Sequence, residues 1–277
     1  MGNHDANLLK VFLNNHAEGD LISWPVQLEM MEAYNMSCVE AESFILKNNF
    51  LPARYQRNRQ MFSIEDQQKF LSSSVAVIGC GGLGGYVIEE LARIGVGQII
   101  AVDPDIFVEH NLNRQLLASV ERLGLPKVDA AVSRVAEVNP VVKVVPRQIA
   151  LTRDNGHEVL SSVDLAIDAM DNVSGRLELA EVCAALDIPF IHGAIAGWYG
   201  QVSTILSGDD TLSKLYRSTS SNKGVETQLG NPSFTPAVIA SLQVAEACKA
   251  LLGKGELLRQ KKLAIDLLNM EFEKISL

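Results

Sequence analysis

An apolar run that stops in a cluster of glycines restricts this chain more than any other feature. Val75 to Ile78 is β-branched or small throughout, then comes Gly79-Cys80-Gly81-Gly82-Leu83-Gly84, and a helical pattern runs over residues 86–94. A strand that turns through glycines into a helix N-terminus leaves backbone N–H groups and the positive end of the helix dipole facing one point, which suits phosphate. By itself the turn also fits a dehydrogenase, so the rest of the chain has to choose between chemistries.

The alternation started by this run continues. Strand-like stretches at 75–79, 99–103, 141–145, 165–169 and 189–192 alternate with helical patterns at 86–94, 127–138, 153–161 and 174–186. This predicts an α/β fold with a Rossmann-like, doubly wound, mainly parallel sheet covered on both faces. Ligands of such sheets sit beyond the C-terminal strand ends, where Gly79, Asp103 and Asp171 fall. Residues 200–206, 262–266 and 271–275 read as further strands that extend the sheet in antiparallel fashion, and 235–252 as a long helix with Pro236 in its first turn. Residues 208–235, rich in Ser, Gly, Asn and Asp, read as a long loop.

Residues 1–50 form a separate helical N-terminal extension in this reading, with 51–277 as the nucleotide-binding domain. Trp24-Pro25 opens one helix to Tyr34, and Ser37 with Glu40 makes a capping box for a second that ends at Lys47. Two short helices joined by Asn35-Met36 have the outline of a DNA reader, but the second offers Glu40 and Glu42 against Lys47 alone. A dimer arm or a clamp over the core is expected instead.

Asp103 lies about 20 residues past the glycines, where a carboxylate can accept hydrogen bonds from ribose hydroxyls. Asp105, Asn111, Asn113, Arg114 and Gln115 follow, then Pro126-Lys127 at a helix start. A nicotinamide-dependent oxidoreductase accounts for the glycines and Asp103 but leaves Arg114, Lys127 and Asp171 idle. Phosphoryl or nucleotidyl transfer needs such cations, because its transition state spreads negative charge over phosphate oxygens. A nucleotide-binding scaffold without catalysis is the third reading.

Six elements in order, Arg54-Tyr55-Gln56-Arg57-Asn58, Gly79 to Gly84, Asp103-Pro104-Asp105, Asn111 to Gln115, Pro126-Lys127 and Asp171-Asn172, make the chain resemble the ThiF/MoeB/HesA family, bacterial relatives of ubiquitin-activating enzymes. The resemblance implies ATP-dependent adenylation of the C-terminal carboxylate of a small ubiquitin-like sulfur-carrier protein ending in Gly-Gly. Carriers of this kind serve thiamine or molybdenum/tungsten cofactor synthesis, and pyrophosphate is released. By the same resemblance, Gly79, Gly81, Gly82, Gly84, Asp103, Asp105, Asn111, Asn113, Arg114, Gln115 and Lys127 would bind the nucleotide. Arg114 and Lys127 would neutralise the triphosphate, and Asp171 would hold Mg²⁺. Arg57 would reach into the site of the partner in a homodimer. A carboxylate is already ionised at neutral pH, so the reaction needs positive charge and alignment more than a general base.

Composition adds exclusions. The formal charge of −9 argues against a nucleic-acid groove, which wants a basic stripe. No stretch reaches the roughly 18 uninterrupted apolar residues of a membrane helix. The start, Met-Gly-Asn-His-Asp-Ala, lacks an apolar signal core, so a cytoplasmic protein is expected. Cys38, Cys80, Cys183 and Cys248 form no C-x-x-C pair, so no structural zinc is expected. No cysteine lies in 207–234, where the family's thioester or persulfide cysteine would be, so the chain is expected to stop at the adenylate. Cys80 reads as a small buried residue; the alternative is a thiol somewhat acidified by its helix N-terminus.

Overall fold

Strands that are apolar on both faces need cover on both sides, and the helices supply it. The computed structural model describes residues 3–216 and 229–277. Its main sheet has eight strands: β3 (Ser74–Ile78), β4 (Gln98–Val102), β5 (Lys143–Arg147), β6 (Leu165–Asp168), β7 (Phe190–Ala196), β8 (Tyr199–Ile205), β9 (Lys261–Asp266) and β10 (Glu271–Ser276). Their spatial order is β10-β9-β8-β7-β6-β3-β4-β5. The pairs from β5 through β7 are parallel, and those among β7, β8, β9 and β10 are antiparallel.

Side chains alternate across this sheet as the period of two requires. Val75, Val77, Ile99 and Ala101 face α5 (Gly82–Ile94), α6 (Lys127–Val138) and α10 (Phe234–Leu252). Ala76, Ile78, Ile100 and Val102 face α7 (Arg153–Leu160), α8 (Val173–Leu186) and α9 (Thr211–Tyr216). Helix α10 is long and apolar enough to cross a membrane by length and composition, yet Ile239, Ala240, Val244 and Ala247 are buried in the core, packed with α5 and β6 to β8.

The register puts Ile78 opposite both Val102 and Asp168, so Gly79, Asp103 and Ala169 leave the sheet at one level. The chain winds outward from β3 to β5, then returns to place β6 on the other side of β3. A crevice opens where the winding reverses, outside the ends of β3 and β6.

The N-terminal segment folds as α1 (Asn3–His16), β1 (Leu21–Ile22), α2 (Trp24–Tyr34) and α3 (Cys38–Lys47) around Leu9, Leu13, Ile22, Met30, Ala41 and Ile45. The Ser37–Glu40 capping box is present: the Glu40 N–H donates to Ser37 Oγ at 3.3 Å, and the Ser37 N–H to Glu40 Oε2 at 2.8 Å. Strand β2 (Leu51–Pro52) pairs in parallel with β1, then a 3₁₀ turn (Ala53–Asn58) and α4 (Ile64–Ser72) lead into β3. Helices α1 and α4 were not expected; α4 is short and carries only Ile64, Phe70 and Leu71 as apolar residues. Strand β5 begins two residues late, because Val141 and Val142 are buried in the turn that precedes it. The expected loop at 208–235 contains helix α9, and its residues 217–228 lie outside the described residues.

Candidate functional site

Strand β3 runs directly into the glycine turn. Gly79 has φ +102°, and a Cβ there would lie 2.5 Å from the Ala169 carbonyl oxygen; a Cβ on Gly84 would lie 1.7 Å from the Gly79 carbonyl oxygen. Only glycine lets helix α5 start this close to the strand end. The N-cap of α5 is Gly81, with no side chain bonded to the first turn, so its N–H groups remain for a ligand.

Asp103 is fixed beside this turn. Its Oδ2 accepts from the Cys80 N–H at 2.7 Å and its Oδ1 from the Asp105 N–H at 2.8 Å. Burial pushes its carboxyl above the usual range, opposed by Lys127 and the two N–H donors. Lys127, buried at the start of α6, places Nζ 2.9 Å from Asp105 Oδ2 and 3.8 Å from Asp103 Oδ1. Arg114 is half-buried; its Nη1 donates to the His110 carbonyl at 3.1 Å and to Asn113 Oδ1 at 2.8 Å. Gln115 is buried against Gly81, and its Oε1 has no hydrogen-bond partner among the described residues.

These groups line a cleft of about 510 Å³, within the size range of cofactor sites. Gly79, Gly81, Gly82, Asp103, Asp105, Arg114, Gln115, Lys127 and Asp171 all face it, and Val102, Ile149 and Leu151 supply an apolar wall. Asp171 stands exposed on the rim, while Asn172 beside it caps α8, its Oδ1 accepting from the Gly175 N–H at 2.8 Å. Gly84, Asn111, Asn113 and Arg57 do not line the cleft. Gly84 lets the helix approach the strand; Asn111 Oδ1 accepts from the Val108 N–H at 3.0 Å and closes a 3₁₀ turn; Asn113 Nδ2 donates to the Asn231 carbonyl at 3.1 Å and ties the Arg114 loop to the segment before α10. Arg57 is exposed on the 3₁₀ turn, away from its own cleft.

Residues 55–277 match the ThiF family. The chain belongs to that family. It is 35% identical over 226 residues to the SAMP-activating enzyme E1 of Haloferax volcanii, covering 80% of this chain and 84% of that one. It is 34% identical over 235 residues to the sulfur carrier protein adenylyltransferase of Thermus thermophilus, covering 80% and 86%. The crystal structure of PaaA superposes with a TM-score of 0.67 at 19% identity over 99% of this chain and 92% of that one, a likeness of fold.

No cysteine lines the ThiF-family cleft among the described residues. Cys80 is fully buried, and burial together with the Asp103 charge pushes its thiol well above the usual value. Cys80 is thus the small buried residue that its sequence suggests, and the alternative of an acidified thiol does not hold, because loss of hydration disfavours the thiolate. Burial pushes Cys183 and Cys248 up to about 12.

The sequence reading missed a polar layer at the cleft, whose lining includes Arg176. Buried Arg176 of α8 donates from Nη2 to the Met170 carbonyl at 2.6 Å and from Nη1 to Tyr216 Oη at 2.8 Å, and its Nε lies 3.3 Å from Asp168 Oδ2. Buried His192 of β7 has Nδ1 2.7 Å from the same Asp168 oxygen. Its Nε2 faces Gln201 Nε2 at 3.2 Å and Tyr216 Oη at 3.3 Å. Burial is the largest influence on its pKa and lowers it; Asp168 pulls the other way and Arg176 adds to the lowering. The spacing of Arg176, five residues past Asp171 on the helix that Asn172 caps, was the available signal.

Proposed function

We propose that this protein adenylates the C-terminal carboxylate of a small ubiquitin-like sulfur carrier ending in Gly-Gly, consuming ATP and releasing pyrophosphate, and that it works as a homodimer. One observation carries the reading: two cations, Lys127 and Arg114, flank an uncapped helix N-terminus beside a buried aspartate, in one cleft at the switch of the sheet. The names borne by the relatives support it.

Adenine rests on the apolar wall at Val102, Ile149 and Leu151, the ribose hydroxyls donate to Asp103, and the phosphates meet the α5 N–H groups. A carboxylate oxygen of the carrier attacks the α-phosphorus, the bond to the β-phosphate oxygen breaks, and pyrophosphate leaves with that electron pair. Arg114 and Lys127 stabilise the charge that gathers on the phosphate oxygens in the transition state. Asp171, an exposed rim carboxylate, suits Mg²⁺, which takes one or two carboxylates plus phosphates and supplies further charge neutralisation. A nicotinamide enzyme would leave these charges without a task.

The dimer reading rests on Arg57, exposed and away from its own cleft, and on the apolar residues Ile106, Val108, Leu112, Leu116, Val120 and Leu125, exposed along the segment that holds Arg114. The chain's four cysteines offer no nucleophile at the site: three are buried, and half-buried Cys38 sits on α3 in the N-terminal unit. The adenylate therefore passes to an outside nucleophile.

ATP–pyrophosphate exchange tests the reading, with a Gly-Gly carrier and the same carrier shortened by its last two residues. Exchange that requires the intact tail is expected. Tight ATP binding with no exchange on any carrier would leave the scaffold reading in its place.

A further inference from the structure

We propose that Glu42, in the N-terminal extension, is a positioning residue for Arg57, and that the extension serves as a rigid mount presenting this arginine to a second copy. The inference rests on the reading that Arg57 serves the partner's site.

Glu42 on α3 is a carboxylate with no exposure to water. It pairs with Arg54, and its Oε1 accepts from Tyr55 Oη at 3.0 Å. Arg54 also donates from Nη2 to Gln27 Oε1 of α2 at 2.8 Å, and its guanidinium lies 5.0 Å from the Trp24 ring centre. Tyr55 Oη in turn accepts from Asn139 Nδ2 at 2.8 Å, and that amide also donates to the Ala92 carbonyl at 2.9 Å. One buried network therefore runs from α2 and α3 through the 3₁₀ turn to the ends of α5 and α6. Just past the turn, Arg59 Nη1 donates to Asp20 Oδ1 at 3.0 Å, on the segment entering β1.

The turn is thus pinned before and after Arg57, while the Arg57 side chain is exposed and makes no hydrogen bond or ion pair with any described residue. A buried charge pair is a poor device for raw stability but a good one for fixing geometry. A cation that must meet phosphate in a neighbouring subunit gains from a fixed backbone, since only the side chain then remains to be ordered on contact.

The test is a double-mutant cycle in the exchange assay, with Glu42→Ala, Arg57→Ala and the pair. Glu42→Ala should lower kcat on the order of a hundredfold, the usual effect of an ångström-scale misplacement, with KM for ATP unchanged. It should add nothing to Arg57→Ala. Glu42→Gln, which keeps an acceptor for Tyr55 but not the charge facing Arg54, should fall between. Because the defect would be felt next door, mixing Glu42→Ala with Asp171→Asn protein should restore activity, whereas damage within its own subunit would not be rescued. Wild-type exchange by Glu42→Ala, losses that multiply in the double variant, or a silent mixture would each overturn the proposal. Should Glu42→Ala fail to fold, Tyr55→Phe enters the same cycle. Normal exchange by Arg57→Ala would overturn the trans-arginine reading itself, and this proposal with it.

Discussion

Lys127 and Arg114 bring the same charge to the cleft and differ in what holds them. Lys127 is buried against Asp103 and Asp105, whereas Arg114 is tied only to a carbonyl and an amide oxygen of its own loop. Both alanine variants should lose exchange by several orders of magnitude. Only Lys127→Ala should unfold more easily, by about 2 kcal/mol, because it strands a buried carboxylate. That deficit depends on pH with a definite sign. The folded-state pKa of Asp103 is already above its unfolded value, so its ionisation costs stability as pH rises through that raised pKa. Removing Lys127 raises the pKa further and deepens the cost at neutral pH; the gap between the two proteins should narrow as pH falls and Asp103 takes up its proton. Urea midpoints at pH 7.5 and 4 check this, and a gap that stays constant would show that Lys127 stabilises through something other than Asp103.

At the scale of elements, the strand-to-helix joint is where a single atom decides. A Cβ on Gly84 would overlap the Gly79 carbonyl, whereas one on Gly81 would meet only the Gln115 amide at 3.4 Å. Gly84→Ala should cost about 3 kcal/mol of stability in thermal unfolding, the scale of overpacking a rigid contact. Gly81→Ala should fold as the parent does and bind ATP more weakly in a titration; equal melting points for the two variants would refute the close-approach argument. Elements with a strong period were legible in sequence: β3 and β4, buried on both faces, and α5 and α6, whose stripes match one side of the sheet. Helix α4 was not, because its fit to the core uses Gln67, whose Nε2 donates to the Ile94 carbonyl at 2.7 Å, as much as apolar residues. The cleft residues were legible because phosphate chemistry restricts residue types at a turn. The layer of Asp168, Arg176, His192 and Tyr216 was not, since its members come from β6, α8, β7 and α9 and meet only after folding.

On the scale of the whole molecule, each copy holds a cleft with two of its expected cations and carries the third, Arg57, on an outer surface. In the proposed homodimer, two copies related by a twofold axis would exchange that arginine, and the exposed apolar residues between Ile106 and Leu125 are the surface proposed to be buried. Such an exchange has a numerical signature. In the proposed homodimer, Arg57→Ala should spoil the site next door and Asp171→Asn the site at home, so each variant alone should be silent in exchange. A hybrid of the two has one site lacking both groups and one that is whole. Random reassortment of equal amounts gives half hybrids, each with half its sites intact, hence about a quarter of wild-type exchange. Recovery near that level, appearing only after subunits are allowed to mix, is expected. Activity that never rises above that of the separate variants would mean that Arg57 acts within its own chain or not at all.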